Sequence, residues 1–183
     1  MNILFVIALT FPVAVASTAF SLNSEQFTMN NLQLGTKLFY SLIFALGQGL
    51  MYWLGSLLGG TFMHLLERLS HWIIVALCFS VSYRMLIDTL KIKNGTNLLF
   101  VENKKHLLLL SVALGINPFI IGLFAEFYQP FPNITPYILM IVAFVWSVVS
   151  MIVPFSKLKL TFYSLLNIIF AAMVLVRGLL MLV

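Results

Sequence analysis

The sequence predicts an all-α integral membrane protein whose six transmembrane helices form two inverted three-helix repeats. Its composition, its six apolar runs and a proline at matching depth in two of them support this prediction. Hydrophobic residues make up 62% of the 183-residue chain, charged residues make up 8%, and the mean hydropathy is +1.08. So few charged residues cannot form the polar surface that a water-soluble protein needs. We therefore expect the chain to lie in a lipid bilayer.

Each apolar run is close to the length of about 20 residues that crosses a bilayer as a helix. The runs comprise residues 2–22, 38–62, 72–90, 106–128, 137–155 and 160–183. None alternates with the period of two that a barrel strand shows. We expect a single membrane domain over residues 1–183, with repeats at 1–92 and 104–183 joined by a cytoplasmic loop at 91–105.

The first run has a second interpretation, because Ala14-Val-Ala16 before Ser17 resembles a signal-peptidase site. The run lacks the basic residue that normally begins a secretory signal. Retaining the run also keeps the number of helices even and the two halves alike. We therefore expect it to remain as the first helix.

Basic residues indicate the orientation of the helices. If the helices alternate in direction, the loops after the first, third and fifth carry Lys37, Lys91, Lys93, Lys104, Lys105, Lys157 and Lys159. Arg84 lies near that face, and the opposite loops carry only Arg68. The positive-inside rule then predicts a multi-pass bacterial inner-membrane protein with both termini outward, in the periplasm.

The net charge of +5 is scattered rather than clustered, so nucleic acid is not an expected partner.

Pro12 in "FPVAVAS" and Pro118 in "NPFIIGL" stand near the centres of the first and fourth runs. A proline inside a helix removes one N–H donor, and this affects the carbonyl four residues earlier, here Ala8 or Leu114. Many inverted-repeat transporters bind their cargo where such helices unwind at the midplane. A simple kink in a packed bundle is the alternative interpretation.

Helix two places Gln48 between two glycines at a similar depth. An amide in the hydrocarbon is costly unless it is paired, and Asn117 or the carbonyls affected by the prolines are its expected partners. Gly55 and Gly59 form a GxxxG pattern that lets another helix pack closely. The predicted transport pathway comprises Pro12, Ser17, Gln48, Asn117 and Pro118.

Two segments, "GQGLMYWLGSLLGG" and "SHWIIVALCFSVSYRMLIDTLK", resemble the manganese efflux pumps, small six-helix bacterial exporters of the lysine-exporter superfamily. The resemblance implies a six-helix ion transporter with an aspartate on helices one and four and a glutamate on helix two. Here the first aspartate falls on Pro12, or on Phe11 if the alignment slips by one. The second aspartate falls on Asn117, and the glutamate falls on Gln48.

The loss of all three carboxylates leaves two functions open. The chain is either a transporter of an ion or small solute with an uncharged midplane site, or a transport-inactive relative that serves as a structural subunit of a larger membrane complex. A homodimer or membrane-complex subunits are the expected protein partners. No cofactor is expected, and a transported cation would be the only bound ion.

The remaining charges predict structural contacts. Arg84 and Asp88 are four residues apart, so they share a helix face and are expected to form an interfacial ion pair. Glu126 and Arg177 lie toward the outer ends of helices four and six and are expected to pair between them.

Two further features bear on the class of protein. The segment "HLLERLSH" spaces His64, Glu67 and His71 as metal ligands could be spaced, although an interfacial turn is the preferred interpretation. Cys78 is the single cysteine, so the chain cannot form a disulfide framework. No nucleophile stands in a recognisable catalytic pattern, and an enzyme is not expected.

Overall fold

A computed structural model describes residues 2–26, 34–66, 70–93, 104–124, 135–152 and 157–180. Within these ranges the chain forms six α-helices: α1 Asn2–Gln26, α2 Leu34–Leu66, α3 Ser70–Lys93, α4 Lys104–Gly122, α5 Pro136–Ile152 and α6 Lys157–Leu179. The predicted all-α architecture is confirmed for these residues. The inverted relation between the two halves stays a prediction.

Three helices among the described residues are long and apolar enough to cross a membrane. These spans are Leu34–Thr61, Trp72–Leu90 and Thr161–Leu179. Shorter apolar segments occupy the other three helices: Leu4–Thr18, Leu107–Gly122 and Pro136–Ile152. The outward faces are also apolar, with Leu50, Trp53 and Leu57 of α2 and Ile141 and Val145 of α5 exposed. An apolar exterior around buried polar side chains is what a lipid-embedded bundle requires.

Helix α1 lies at the centre of the bundle. Every side chain from residue 5 to residue 18 is buried except Ile7, which is half-buried. A helix that is hydrophobic all round must be covered on all sides, and α1 packs mainly against α5 and α6. Pro12 and Ser17 are therefore held inside the bundle.

The helices alternate in direction, as one buried cluster demonstrates. Phe5, Ile74 and Leu139 lie near the beginnings of α1, α3 and α5, while Phe124 follows α4 and Val174 lies late in α6. All five residues belong to one hydrophobic cluster. The beginnings of α1, α3 and α5 therefore meet the ends of α4 and α6.

Glycines bring α2 and α4 into close contact. A Cβ added at Gly55 would overlap the carbonyl oxygen of Phe119, and one added at Gly59 would overlap that of Leu123. From the other side, a Cβ at Gly122 would overlap the carbonyl oxygen of Tyr52. The GxxxG pattern is therefore a helix-packing device, as predicted.

Pro12 and Pro118 lie inside continuous α-helices. The expectation that the helices unwind at the prolines is therefore wrong. A proline removes a single helical hydrogen bond, and neighbouring helices in a tight bundle can hold the remaining turns in place. Ala8 and Leu114 still lack their usual helical donors.

Candidate functional site

Gln48 and Asn117 are the two amides at the centre of the predicted pathway. Gln48 is 1% exposed and Asn117 is 3% exposed. Among the described residues, Gln48 Nε2, Gln48 Oε1 and Asn117 Oδ1 have no hydrogen-bond partner. Gln48 therefore bonds neither to Asn117 nor to a carbonyl near the prolines, the two kinds of partner that the sequence predicted. A buried polar group left without a partner costs about 1–3 kcal/mol, so these atoms are strong candidates for contact with a cargo.

The backbones beside the two amides touch each other. A Cβ added at Gly115 would meet the carbonyl oxygen of Gly47 at 2.9 Å and Met51 Cγ at 2.7 Å. Ser111, one turn before Gly115, donates a 2.9 Å hydrogen bond to the Ile43 carbonyl. Because Gly47 precedes Gln48 and Gly115 lies two residues before Asn117, both amides lie at one level of the α2 and α4 pair.

Helix α1 reaches the same level through Val13. Val13 and Phe44 belong to one buried cluster, and the partly buried Leu114 packs against it. Phe44 lies one helical turn before Gln48, and Leu114 lies one turn before Pro118. The structure therefore brings the proline-containing segments of α1 and α4 together with the Gln48 turn of α2.

Ser17 forms a contact with α5 that the sequence did not predict. Its hydroxyl forms a 2.9 Å hydrogen bond with the hydroxyl of Ser147 on α5, and both side chains are fully buried. Ser17 therefore joins α1 to α5 through this hydrogen bond.

Replacing Ser17 with alanine is expected to cost roughly 0.6 kcal/mol, the usual worth of one hydrogen bond between membrane helices. The measurement is thermal unfolding in detergent, with Ser80→Ala as the control because the exposed Ser80 bonds only to its own helix. Adding Ser147→Ala should cost less than the sum of the two single changes, because both remove the same bond. Strictly additive losses would contradict this assignment.

Arg84 joins α3 to α4. Its Nη2 donates to the carbonyl oxygen of Ala113, and its Nε lies 3.7 Å from Asp88 Oδ2. The side chains of Arg84 and Asp88 are 29% and 40% exposed. Sequence reasoning placed Arg84 and Asp88 together through their spacing, but it missed the contact with α4. No sequence signal identifies a backbone carbonyl as the partner of an arginine.

Asn167 is a buried polar residue that sequence reasoning also missed. Its Nδ2 donates to Thr89 Oγ1 at 2.6 Å, while Ser82 Oγ donates to the Ala171 carbonyl at 2.8 Å. These bonds tie α3 to α6. The sequence signal for this contact is the position of Asn167, an asparagine within an otherwise apolar run.

Some predicted residues lie outside what the structure describes. Glu126 and Glu67 fall in this category, as do the side chains of His64 and His71. Neither the pairing of Glu126 with Arg177 nor the histidine-containing segment is tested. Within the described part of the chain, no three His, Cys, Asp or Glu residues are grouped to hold a metal ion.

The chemistry of the two amides suits a cargo of low charge. Amide groups offer neutral oxygens and N–H donors, whereas hard divalent cations favour carboxylate ligands that offset their desolvation. Asp88 is the only carboxylate among the side chains that the structure describes. The amides can therefore bind a polar solute or a monovalent ion more readily than a divalent one.

The family model described as "Putative manganese efflux pump" matches residues 31–182. This span covers α2 to α6 and includes both amides and Arg84. No curated protein and no solved structure matches the chain.

Proposed function

The chain belongs to the manganese efflux pump family, and on that premise we propose that it moves an ion or small polar solute through an uncharged site at Gln48 and Asn117. The observation that carries the proposal is the burial of three amide atoms without partners in the described structure. A cargo that hydrogen-bonds to the amides, or a cation that their oxygens coordinate, would offset the free-energy cost of burying them.

The helix pairing supports an inverted-repeat arrangement for this transporter. Among the helix pairs in contact are α1 with α5, α2 with α4, α3 with α6, and α2 with α5. Exchanging α1 with α4, α2 with α5 and α3 with α6 leaves these four pairs unchanged, and it relates the α1–α6 contact to a smaller contact between α3 and α4. Repeats of three membrane helices have opposite orientations, and such transporters bind cargo where the repeats meet.

The distribution of basic residues supports an orientation for the bundle. We infer an inner-membrane location in which the loops rich in lysine face the cytoplasm and both termini face outward. In this orientation α2 and α4 both begin at the cytoplasmic face, so both amides lie on helices that rise from that side.

Replacing either amide with alanine is expected to lower cargo flux by up to about tenfold. The loss of one hydrogen bond to a cargo, at about 1.4 kcal/mol, corresponds to that factor. The measurement is uptake into proteoliposomes of a panel of cations and small polar solutes by the unaltered chain, Gln48→Ala and Asn117→Ala. Thr61→Ala is the control, because Thr61 is exposed and bonds to its own helix.

Two results would contradict the proposed function. One is the absence of flux for every cargo in the panel, and the other is equal flux in the amide variants and the Thr61→Ala control. The second result would remove Gln48 and Asn117 from the pathway even if transport itself occurred.

A transport-inactive structural subunit is the second candidate, and the absence of a carboxylate beside the two amides among the described side chains favours it. Purification in a mild detergent separates the two candidates. A stoichiometric membrane partner would favour the structural subunit. A lone monomer or homodimer whose melting temperature rises with a particular ion would favour transport, because a ligand that binds only the folded state stabilises it.

A further inference from the structure

One buried stripe of α6 faces α3 and carries polar side chains at its beginning. The stripe comprises Ser164, Asn167, Ala171, Val174 and Gly178. The Ala171 carbonyl accepts a hydrogen bond from Ser82 Oγ, and Asn167 Nδ2 donates to Thr89 Oγ1. Positions on α3 therefore rise as positions on α6 fall, so Ser164 lies about one turn beyond Asn167, toward the end of α3.

The orientation of the Asn167 amide is fixed by its neighbour Thr89. The Thr89 hydroxyl donates its only proton to the Met85 carbonyl, at 2.7 Å. The Asn167 atom that lies 2.6 Å from Thr89 Oγ1 must therefore be a donor, which is Nδ2. The amide oxygen is left over. Asn167 is 2% exposed, and its Oδ1 has no hydrogen-bond partner among the described residues.

Ser164 supplies a second buried oxygen on the same face. Its side chain is 1% exposed, and its Oγ has no hydrogen-bond partner in the described part of the chain. Residues three apart on a helix are neighbours, so Ser164 lies beside Asn167. A serine hydroxyl can donate to a carbonyl of its own helix and still offer lone pairs. Thr89 Oγ1 donates one bond and accepts one, so it also retains a lone pair.

These three oxygens are neutral acceptors, and they need a cation or a donor between them. Main-chain oxygens can complete the coordination, because α3 ends at Lys93, one turn beyond Thr89, and the last carbonyls of a helix have no donor within it. Asp88, the carboxylate next to Thr89 along the chain, is paired with Arg84. Hard cations favour oxygen ligands, and neutral oxygens can replace the hydration shell of a monovalent cation.

We propose that Asn167 Oδ1, Ser164 Oγ and Thr89 Oγ1 form a binding site for one monovalent cation of the Na⁺ class between α3 and α6. This site goes beyond the proposed function, because the two amides lie on α2 and α4. The cation would offset the cost of burying two oxygens that have no partner among the described residues. It would also join α3 to α6 at the end of their contact.

The test is thermal unfolding of the full-length protein in detergent, with Na⁺ titrated against choline at constant ionic strength. Na⁺ should raise Tm along a saturable curve, by about 3–6 °C at ten times the half-saturating concentration. Asn167→Leu should abolish this rise. Ser164→Ala should increase the half-saturating Na⁺ concentration about three- to tenfold, the equivalent of one lost polar contact.

Ser82→Ala is the matched control on the same pair of helices. The Ser82 hydroxyl already donates to the Ala171 carbonyl, so its removal should lower Tm in choline and leave the half-saturating Na⁺ concentration within about twofold. Ser164→Ala should show the opposite pattern, because Ser164 Oγ has no described partner to lose. Ser164→Ala also decides the question if Asn167→Leu does not fold.

Three results would overturn the site. The first is an equal Tm in Na⁺ and choline, since a buried water bound to these oxygens would not respond to the cation. The second is an unchanged half-saturating concentration in Ser164→Ala. The third is a rise that disappears in the double variant Gln48→Ala with Asn117→Ala and persists in Ser164→Ala, which would assign the ion to the two amides. None of these measurements requires flux, so failure here is distinct from failure of the proposed function.

Discussion

Introducing Gln48→Glu and Asn117→Asp together is expected to create a saturable Mn²⁺ site with an affinity on the order of 100-fold above that of the unaltered chain. The two positions lie at one level of the α2 and α4 pair and are almost fully buried. Two carboxylates there would provide the hard, anionic oxygens that Mn²⁺ favours and would offset its desolvation. Binding is measured by calorimetry and by the Mn²⁺ dependence of the melting temperature.

The metal-free double variant should be less stable than the unaltered chain, because it buries two like charges without a partner. Mn²⁺ should then restore the lost stability, since it binds only the folded state. Each single substitution is the control and should give a weaker site than the pair. A well-folded double variant without a Mn²⁺-dependent shift would show that residues 48 and 117 do not face a common site.

The second large effect is expected at the glycine interface between α2 and α4. Gly55→Ala should lower the free energy of unfolding by about 1–3 kcal/mol, the usual cost of overpacking. The added Cβ would overlap the carbonyl oxygen of Phe119, a backbone atom that cannot rotate away. The two helices would have to separate, and the amides beside the interface would move with them. Thermal unfolding in detergent measures the loss.

Gly35→Ala is the matched control on the same helix. A Cβ at Gly35 meets nothing within 4 Å, so this change should be neutral or should gain up to about 1 kcal/mol from helix propensity. Equal melting temperatures for Gly55→Ala and Gly35→Ala would mean that the close approach of α2 and α4 is not maintained in the folded protein.

The helices and the burial of the two amides could be predicted from the sequence because both depend on local properties. The length and hydropathy of a run determine whether it forms a membrane helix. An amide in the middle of such a run lies far from water and is therefore expected to be buried. Gln48 and Asn117 are accordingly buried within α2 and α4. The resemblance in helices two and three also agrees with the family match over residues 31–182.

The polar contacts between helices were beyond sequence reasoning. The hydroxyl of Ser17 pairs with that of Ser147, a residue 130 positions away. Helix unwinding at Pro12 and Pro118 was expected, yet both helices continue. The outcome at a proline depends on the neighbours that hold the remaining turns, and the helical periodicity does not specify those neighbours.

The sequence by itself determined that this is an all-α membrane protein with neutral amides where the related family suggests carboxylates. Only the tertiary structure decided which buried polar atoms find partners and where the charge of Arg84 lies. The physical reason is that hydropathy and side-chain type belong to each segment alone, whereas a hydrogen bond requires two helices at a particular distance and rotation. The acceptor for Arg84 is the backbone carbonyl of Ala113, a group that every residue possesses and that only the packing of α3 against α4 singles out.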